Sequence, residues 1–407
     1  MPEMRLLFVA DGRSPIARSW IAYIQQAGHE VHLVSTFSCE PIAGLTSLQA
    51  VSVAFSRAGR PVLPGKAPGG ARGMSVRSWI RHWLGPWTVR RAGQQVAAAV
   101  AEARPDLVHA MRIPFEGMLA ASLPPEIPLV VSVWGNDFTL HAGASAGMRR
   151  WTRRCVERAN GLHVDCRRDL DLAQAWGFDG ARPSLVIPTN GGVRTEWFRQ
   201  APPSVLPEES VVGSLLAGLG PRPVVVQPRG FRLYVRNDTF FRAVPEIVRQ
   251  LPEVHFLCPG MQSEPEAEAW LRRLGIRHCV SLLPKLSPVE MAAVFQRAQV
   301  AVSPTTHDGT PNTLLEAMAC GALPVAGDLD SLREWIEPGR NGLLVDPADP
   351  VGLAQAVVQG LRSSDLRRLA AEVNSRIVRE RADYATCMKL AEQLYLRLAA
   401  GAQAAML

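Results

Sequence analysis

The chain has 407 residues, 47% of them hydrophobic and 20% charged, with a formal net charge of +7. A single core seldom grows to that length, so two domains of globular composition are expected, and the absence of any run of eighteen apolar residues excludes a membrane-spanning helix. The positive balance admits anionic ligands, an acidic membrane surface or nucleic acid without choosing among them.

Seven cysteines, Cys39, Cys155, Cys166, Cys258, Cys279, Cys320 and Cys387, are scattered and never spaced CxxC. That usage fits a reduced, cytoplasmic compartment, with the thiols as small buried hydrophobes. The opening MPEMRLLFVADGR has an acid and then a strand-like run where a signal peptide would carry a basic flank, so none is expected.

Arg5 to Ala10 is a short apolar strand, followed by the turn Asp11-Gly12-Arg13-Ser14-Pro15, a helix from Ile16 to Ala27 stopped by Gly28, and a strand Val31 to Val34. Gly12 lets backbone approach a ligand at the C-terminal edge of the sheet, where open α/β sheets place their sites. No GxGxxG is present, so a dinucleotide fingerprint is not supported.

The alternation continues through strands at Asp106 to His109, Leu129 to Val133, Gly161 to Val164 and Leu185 to Pro188. Helices are expected over Gln94 to Ala103, Ser145 to Arg158 and Arg167 to Trp176. Strands alternating with helices imply a mostly parallel sheet. At the strand ends, His109 is either a site residue or a packed histidine, and Asn136 and Asp137 after Trp134 are polar candidates for a site, although Asn and Asp are also habitual turn formers.

Residues 56 to 91 do not read as regular α/β structure. Arg57 to Arg72 is a Gly/Pro-rich loop, and Met74 to Gln95 places Trp79, Trp83 and Trp87 among Arg77, Arg81, Arg90 and Arg91. Basic residues with aromatics suit a peripheral membrane contact through 74–95, at the inner face of the membrane, or a lipid-phosphate acceptor region. The commoner use of such a pattern is an amphipathic helix packed on its own domain.

Pro202, Pro203, Pro207, Pro221 and Pro223 with several glycines mark a linker over 201–223, between an N-terminal domain (1–200) and a C-terminal one (224–380). The second domain opens with the strand Pro223 to Gln227. It continues through a helix Thr239 to Gln250 that Pro245 should kink, a strand His255 to Cys258, a helix Glu264 to Leu274, a strand Val280 to Leu283 and a helix Pro288 to Arg297.

The stretch most informative about chemistry is SPTTHDGTPNTLLEAMACGALP, Ser303 to Pro324. Val300 to Val302 reads as a buried strand ended by Pro304. From Thr313 the pattern turns helical, with Leu314, Leu315, Met318 and Ala319 on one face and Gly321 as the stop. Unpaired amides around Asn312, Thr313 and Leu314 and the helix dipole suit a phosphate. Gly309, Thr310 and Pro311 keep the preceding loop open, and Asp308 and Glu316 can both face a ligand above the helix N-terminus. Carboxylates for hydroxyls and amides for a diphosphate make a nucleotide-sugar site.

Asp308-x7-Glu316 followed by Ala317-Met318-Ala319-Cys320-Gly321-Ala322-Leu323-Pro324-Val325 resembles the signature of glycosyltransferase family 4, the retaining GT-B glycosyltransferases (glycosyl transferases group 1). The first acid is Asp where Glu is usual, and Leu323 is extra. Pro105 to His109, Ile187 to Phe198, the FLCPG stretch and GRNGLLVDPADP resemble the family as well.

The resemblance implies an α/β GT-B fold, two Rossmann-like domains facing a central cleft, with a last helix, here within 381–407, packing back on the first domain. It implies a donor diphosphate embraced by Arg229 and by Arg236, with Arg232 as the rival for the second cation. Trp134 stands where many relatives carry a His that touches the donor sugar. The implied partners are a nucleotide diphosphate sugar and an unidentified acceptor, lipid-linked or a glycan. No metal and no cofactor are expected, and nucleic acid is not, since the arginines lack a reading motif. The expected activity is retaining transfer by a hexosyltransferase-type enzyme, with Asp308, Arg229, Arg236 and Glu316 as its catalytic set. The rivals are a GT-B phosphorylase or sugar-nucleotide epimerase and an inactive sugar-nucleotide-binding protein.

Overall fold

The computed structural model of the protein describes residues 3–56, 71–201, 206, 210–232 and 234–405. The Gly/Pro-rich stretch expected from Arg57 lies outside the described residues as far as residue 70, as do Pro202, Pro203 and Pro207 of the expected linker. The chain divides into two compact units, Met1–Gly192 with Ala385–Leu407, and Val193–Tyr384.

The first unit begins β1 (Arg5–Ala10), α1 (Pro15–Gln26), β2 (Glu30–Ser35), β3 (Ser47–Ala50) and α2 (Ala71–Ala103). It continues β4 (Leu107–Ala110), α3 (Met118–Ala120), β5 (Leu129–Val133), α4 (Ala146–Arg158), β6 (Gly161–Val164), α5 (Arg167–Ala175) and β7 (Ser184–Val186). All seven strands pair in parallel, in the order β3-β2-β1-β4-β5-β6-β7. The inner strands are buried along their whole length, which is why they read as continuous apolar runs such as LVVSV. Chain order reverses between β1 and β4, so the loops leaving their C-terminal ends diverge and open a crevice there.

Helix α2 runs unbroken through Pro86, where the sequence suggests irregular structure. Proline cannot donate to the carbonyl four residues back, that of His82, and would leave it orphaned. The Ser145 hydroxyl, at the N-cap of α4, donates to that carbonyl at 2.7 Å instead, while the Thr88 hydroxyl returns to the Gly85 carbonyl at 2.7 Å.

The second unit carries α6 (Val211–Gly218), β8 (Val224–Val226), α7 (Asn237–Gln250), β9 (His255–Cys258), α8 (Pro265–Leu274) and β10 (Val280–Leu282). Then come α9 (Pro288–Arg297), β11 (Val300–Ser303), α10 (Asn312–Cys320), β12 (Leu323–Gly327), α11 (Asp330–Arg333), β13 (Leu343–Val345), α12 (Pro350–Arg362) and α13 (Ser364–Arg381). Helix α6 occupies part of the stretch read as a linker, with the Ser210 hydroxyl accepting from Gly213 N.

Six parallel strands pair in the order β10-β9-β8-β11-β12-β13, with the reversal between β8 and β11. Val224 and Val226 pack into one core layer and Val225 into the layer on the opposite face, the alternation expected of a sheet covered on both sides. At the end of β12, Gly327 is required by proximity: a Cβ there would lie 2.4 Å from the Thr305 carbonyl oxygen.

The last helix, α14 (Tyr384–Ala405), belongs to the first unit from Ala385 onward. Its Tyr395 and Glu392 are buried, the hydroxyl 2.6 Å from His109 Nδ1 and the carboxylate 3.2 Å from His29 Nε2.

Candidate active site

In the second unit the reversal of strand order puts the loop after β8 beside the loop after β11. The β8 loop carries Arg229, fixed by a small polar network. Gln227 Oε1 accepts from Arg229 N at 2.9 Å, Gln227 Nε2 donates to Asn237 Oδ1 at 2.7 Å, and Asn237 Nδ2 reaches the Gly230 carbonyl at 3.3 Å. Gly230, at φ +63°, makes the turn that closes this loop.

Arg229 is thereby aimed at the β11 loop. Its Nη2 donates to Asp308 Oδ2 at 2.5 Å and its Nη1 to the Thr313 hydroxyl at 3.4 Å; the side chains of the ion pair are only 6% and 14% exposed. Asp308 is held from behind by Ser331, whose hydroxyl donates to its carbonyl at 2.7 Å, and Thr310 by Trp335, whose Nε1 donates to its hydroxyl at 2.9 Å. Gly309 and Pro311 are buried in the same loop.

Helix α10 opens at Asn312 with no side-chain cap and no acid in its first turn, so its positive end is uncompensated by its own sequence. Glu316, one turn in, is half-buried by accessible surface but closely walled. That desolvation raises its carboxyl to about 7, and the Arg229 charge only partly opposes it. Arg229, Asp308, Thr313 and Glu316 therefore form one constellation at a helix N-terminus.

The side chains of the other two arginines bond to other groups, although Arg236 N donates to the Pro304 carbonyl of the same β11 loop at 2.9 Å. Arg236 grips Asp238 in a bidentate pair, 2.8 and 2.9 Å, and exposed Arg232 donates to the Tyr234 hydroxyl at 3.0 Å.

The first unit has a pocket of about 370 Å³ at its own reversal point, lined from the β1 end by Asp11 and Arg13, from the β4 end by Arg112 and Glu116, and from the β5 end by Trp134. Helix α2 adds Arg81 and His82, and His141 faces His82, with His82 Nε2 and His141 Nδ1 2.9 Å apart. Burial first, then the neighbouring arginine charges, lowers both imidazoles, His141 to about 2, so each is neutral near pH 7.

The family model for glycosyl transferases group 1 matches residues 231–363, and that for a glycosyl transferase 4-like domain matches residues 12–189. The two matches, one in each unit, relate the chain to the family-4-like glycosyl transferases, and its two parallel sheets give it the GT-B architecture. It is 33% identical over 113 residues to a D-inositol 3-phosphate glycosyltransferase of Corynebacterium urealyticum, a match covering 28% of this chain and 27% of that one. The chain thus spans about a quarter of that relative's length.

Among solved structures, the fold matches sucrose-phosphate synthase from Thermosynechococcus elongatus with a TM-score of 0.72 at 16% identity, over 98% of this chain and 100% of that one. It also matches Anabaena HepE in complex with UDP and glucose, with a TM-score of 0.69 at 17% identity over 96% and 99%.

Several residues expected near a bound sugar are engaged elsewhere. His109 is a core histidine: it is 1% exposed, and both ring nitrogens are taken. His163 Nε2 donates to the Ile187 carbonyl at 3.0 Å, so His163 Nδ1 accepts from the Ser132 hydroxyl, Ser132 accepts from His109 Nε2, and His109 Nδ1 accepts from Tyr395. Burial keeps His109 neutral.

Asp137, fully buried, is likewise no sugar ligand. It accepts from Arg112 Nε and Nη2 at 2.9 Å and from the amides of Ile113 and Trp134 at 3.1 Å, and Asn136 Oδ1 takes Arg112 Nη2 at 2.9 Å. Both acceptors serve to aim Arg112, whose guanidinium lies over the Trp134 ring, 5.0 Å from its centre.

Gly12 sits behind the pocket, where a Cβ would come within 2.5 Å of Cys39 Sγ; its neighbours Asp11 and Arg13 are the lining residues. Arg112, Glu116 and His141 escape a sequence reading centred on strand ends that carry Asn or Asp. The position of Arg112, two residues past β4 in an open sheet, is the signal that points to it.

Asp165, Cys166 and Asp169 also gather in the first unit, buried. Arg168 pairs with Asp169 at 2.7 Å, the Thr189 hydroxyl donates to Asp165 at 2.9 Å, and burial keeps the thiol protonated, which makes the cluster a hydrogen-bonded brace.

Proposed function

We propose that the protein transfers a sugar from a nucleotide diphosphate sugar to an acceptor hydroxyl, with retention of configuration and without a metal, the donor bound by the second unit and the acceptor by the first. The observation that carries this reading is the constellation of Arg229, Asp308, Thr313 and Glu316 at the N-terminus of α10. When the glycosidic C–O bond breaks, a nucleoside diphosphate leaves, and its growing negative charge must meet positive groups already in place.

Arg229 and the amides of Asn312 and Thr313 are such groups, and Arg236 joins them by exchanging Asp238 for the diphosphate. Glu316 accepts from the ribose hydroxyls. Asp308 holds Arg229 in position and, once a phosphate shares the guanidinium, is free to accept from a sugar hydroxyl. Neither acid acts as a nucleophile; the leaving phosphate takes the acceptor proton. The binding of UDP and glucose by HepE supports a donor of this class.

A panel of UDP-, GDP- and ADP-sugars tests the proposal. One donor should raise the melting temperature and release its nucleoside diphosphate only when an acceptor is added. Release without acceptor, or none with any donor and a broad acceptor set, would overturn it.

No helix among the described residues is long and apolar enough to cross a membrane. Yet α2 exposes Trp79, Ile80, Trp83, Leu84 and Trp87, Trp87 to 85%, at spacings that share one face, with Arg90 and Arg91 following. The packed helix α4 adds exposed Arg149, Arg150, Arg153 and Arg154. Side-lying aromatics flanked by cations fit an anionic membrane surface, from which a lipid-linked acceptor would be drawn.

The double variant Trp83→Ala/Trp87→Ala is therefore expected to lose about tenfold or more in binding to vesicles rich in phosphatidylglycerol. Flotation in which wild type and variant bind alike, or which ignores lipid charge, removes the membrane contact.

A further inference from the structure

The pocket of the first unit contains a guanidinium with no hydrogen-bonding partner among the described residues. Arg81 reaches into it from α2, its carbon centre 4.6 Å from the Phe115 ring centre and 5.5 Å from that of Phe37, and makes no hydrogen bond or ion pair with the described residues. Rings on two sides remove water from a group with five N–H donors, which is costly unless an acceptor arrives.

The nearby acids are already committed. Asp11 is gripped at both oxygens by Arg13 at 2.9 Å, and Asp137 is satisfied by Arg112 and two amides. Glu116 is the remaining carboxyl. It is 5% exposed, accepts from the Thr36 hydroxyl at 2.8 Å, and is pushed toward its neutral form by burial.

The rest of the lining agrees. Ser14 and Ala17 bring in the N-terminus of α1, a helix of 12 residues with no side-chain cap and no acid in its first turn. Phe37, Phe115 and Trp134 present flat apolar faces, and the neutral His82–His141 pair offers nitrogen atoms to hydroxyls. A volume of about 370 Å³ suits a ligand the size of a phosphorylated monosaccharide.

We infer that this pocket takes the phosphate group of a hydroxyl-rich acceptor, with Arg81 as the residue that binds the phosphate. The inference rests on the transferase reading above and names the acceptor class for it. Arg13 and Arg112, held in place by their acids, add to the positive field, and the aromatic walls and the histidine pair seat the polyol. The phosphate belongs either to a soluble ester or to a lipid headgroup.

Calorimetric titration of the full chain with sorbitol 6-phosphate and with sorbitol, nucleoside diphosphate present at saturation, tests this. The phosphorylated probe should bind at least about tenfold more tightly, and Arg81→Gln should remove that preference while leaving nucleoside diphosphate binding intact, which also shows the variant to be folded. Arg81→Lys, which keeps the charge, should retain part of the preference.

Equal binding of the two probes, or a preference that survives Arg81→Gln, overturns the inference. Arg229→Ala separates it from the transferase reading: that variant should lose the nucleotide and keep the phosphorylated probe. If no nucleoside diphosphate binds even to wild type, the transferase reading falls while the pocket is judged by Arg81 alone. Phosphatidylglycerol vesicles that displace sorbitol 6-phosphate point to a lipid headgroup, and vesicles that do not point to a soluble ester; either result is consistent with the site.

Discussion

Arg229→Ala is expected to lower kcat/KM for sugar transfer by roughly 10²- to 10⁴-fold, with most of the loss in kcat. Two effects combine. The guanidinium is the cation of the second-unit constellation and only 6% exposed, so removing it deprives the departing diphosphate of a charge that needs no reorganisation during the reaction. It also strands Asp308, whose carboxylate is 14% exposed and would face the same diphosphate without its counter-ion.

Arg229→Lys should recover only a part of the lost rate, because a point charge cannot reach Asp308 and the Thr313 hydroxyl at once as the planar fork does. Asp308→Asn, which keeps shape and removes charge, should be milder than Arg229→Ala. Steady-state kinetics of the three variants on the donor identified by the panel check this ordering. An Arg229→Ala enzyme within a few-fold of wild type would mean that Arg229 and Asp308 are merely a structural pair, and a change confined to KM would mean that the arginine holds ground and transition states alike.

Much of this constellation is legible in the sequence because its parts are local. A short apolar strand, a Pro/Gly loop and a helix with an apolar face fix where Asp308, Thr313 and Glu316 stand along the chain, and open α/β topology puts the loop after β8 beside them. The strands Leu129–Val133 and His255–Cys258 are equally plain, since burial on both faces leaves no polar interruption.

The long-range contacts are not legible. His109 stands at a strand end, like many site residues, and only the return of α14 shows that Tyr395 covers it. Pro86 argues against a helix until Ser145, 59 positions on, is seen to satisfy the His82 carbonyl. Edge strand β3 and helix α6 lack the hydrophobic period that marks the others. The pocket in the first unit draws on at least five separate stretches of chain, around residues 10–17, 37, 81–82, 111–116 and 134–141, and no one of them looks like a site alone.

Glu316→Gln is expected to make the ligand-free protein more stable at pH 8 while impairing nucleotide binding. The carboxyl has an ordinary value of 4.5 and is raised to about 7 in the fold, chiefly by burial. A group raised on folding contributes full stability below 4.5, and that contribution is lost as pH rises through 7, where the fold must hold a desolvated carboxylate. A shift of that size corresponds to at most about 3 kcal/mol. Glutamine has the same shape and no charge to desolvate.

The variant's melting temperature should accordingly exceed wild type by roughly 5 °C at pH 8, with the gap closing toward pH 5, where wild-type Glu316 is already neutral. Calorimetric scans across pH 5 to 8 measure it. A constant difference at all pH values would mean that Glu316 does not titrate in this range. A bound nucleotide should shrink the gap for a physical reason: ribose hydroxyls donating to Glu316 supply the solvation that burial removes, in wild type alone. Such an acid is retained because it recognises the ligand, at the expense of the empty fold.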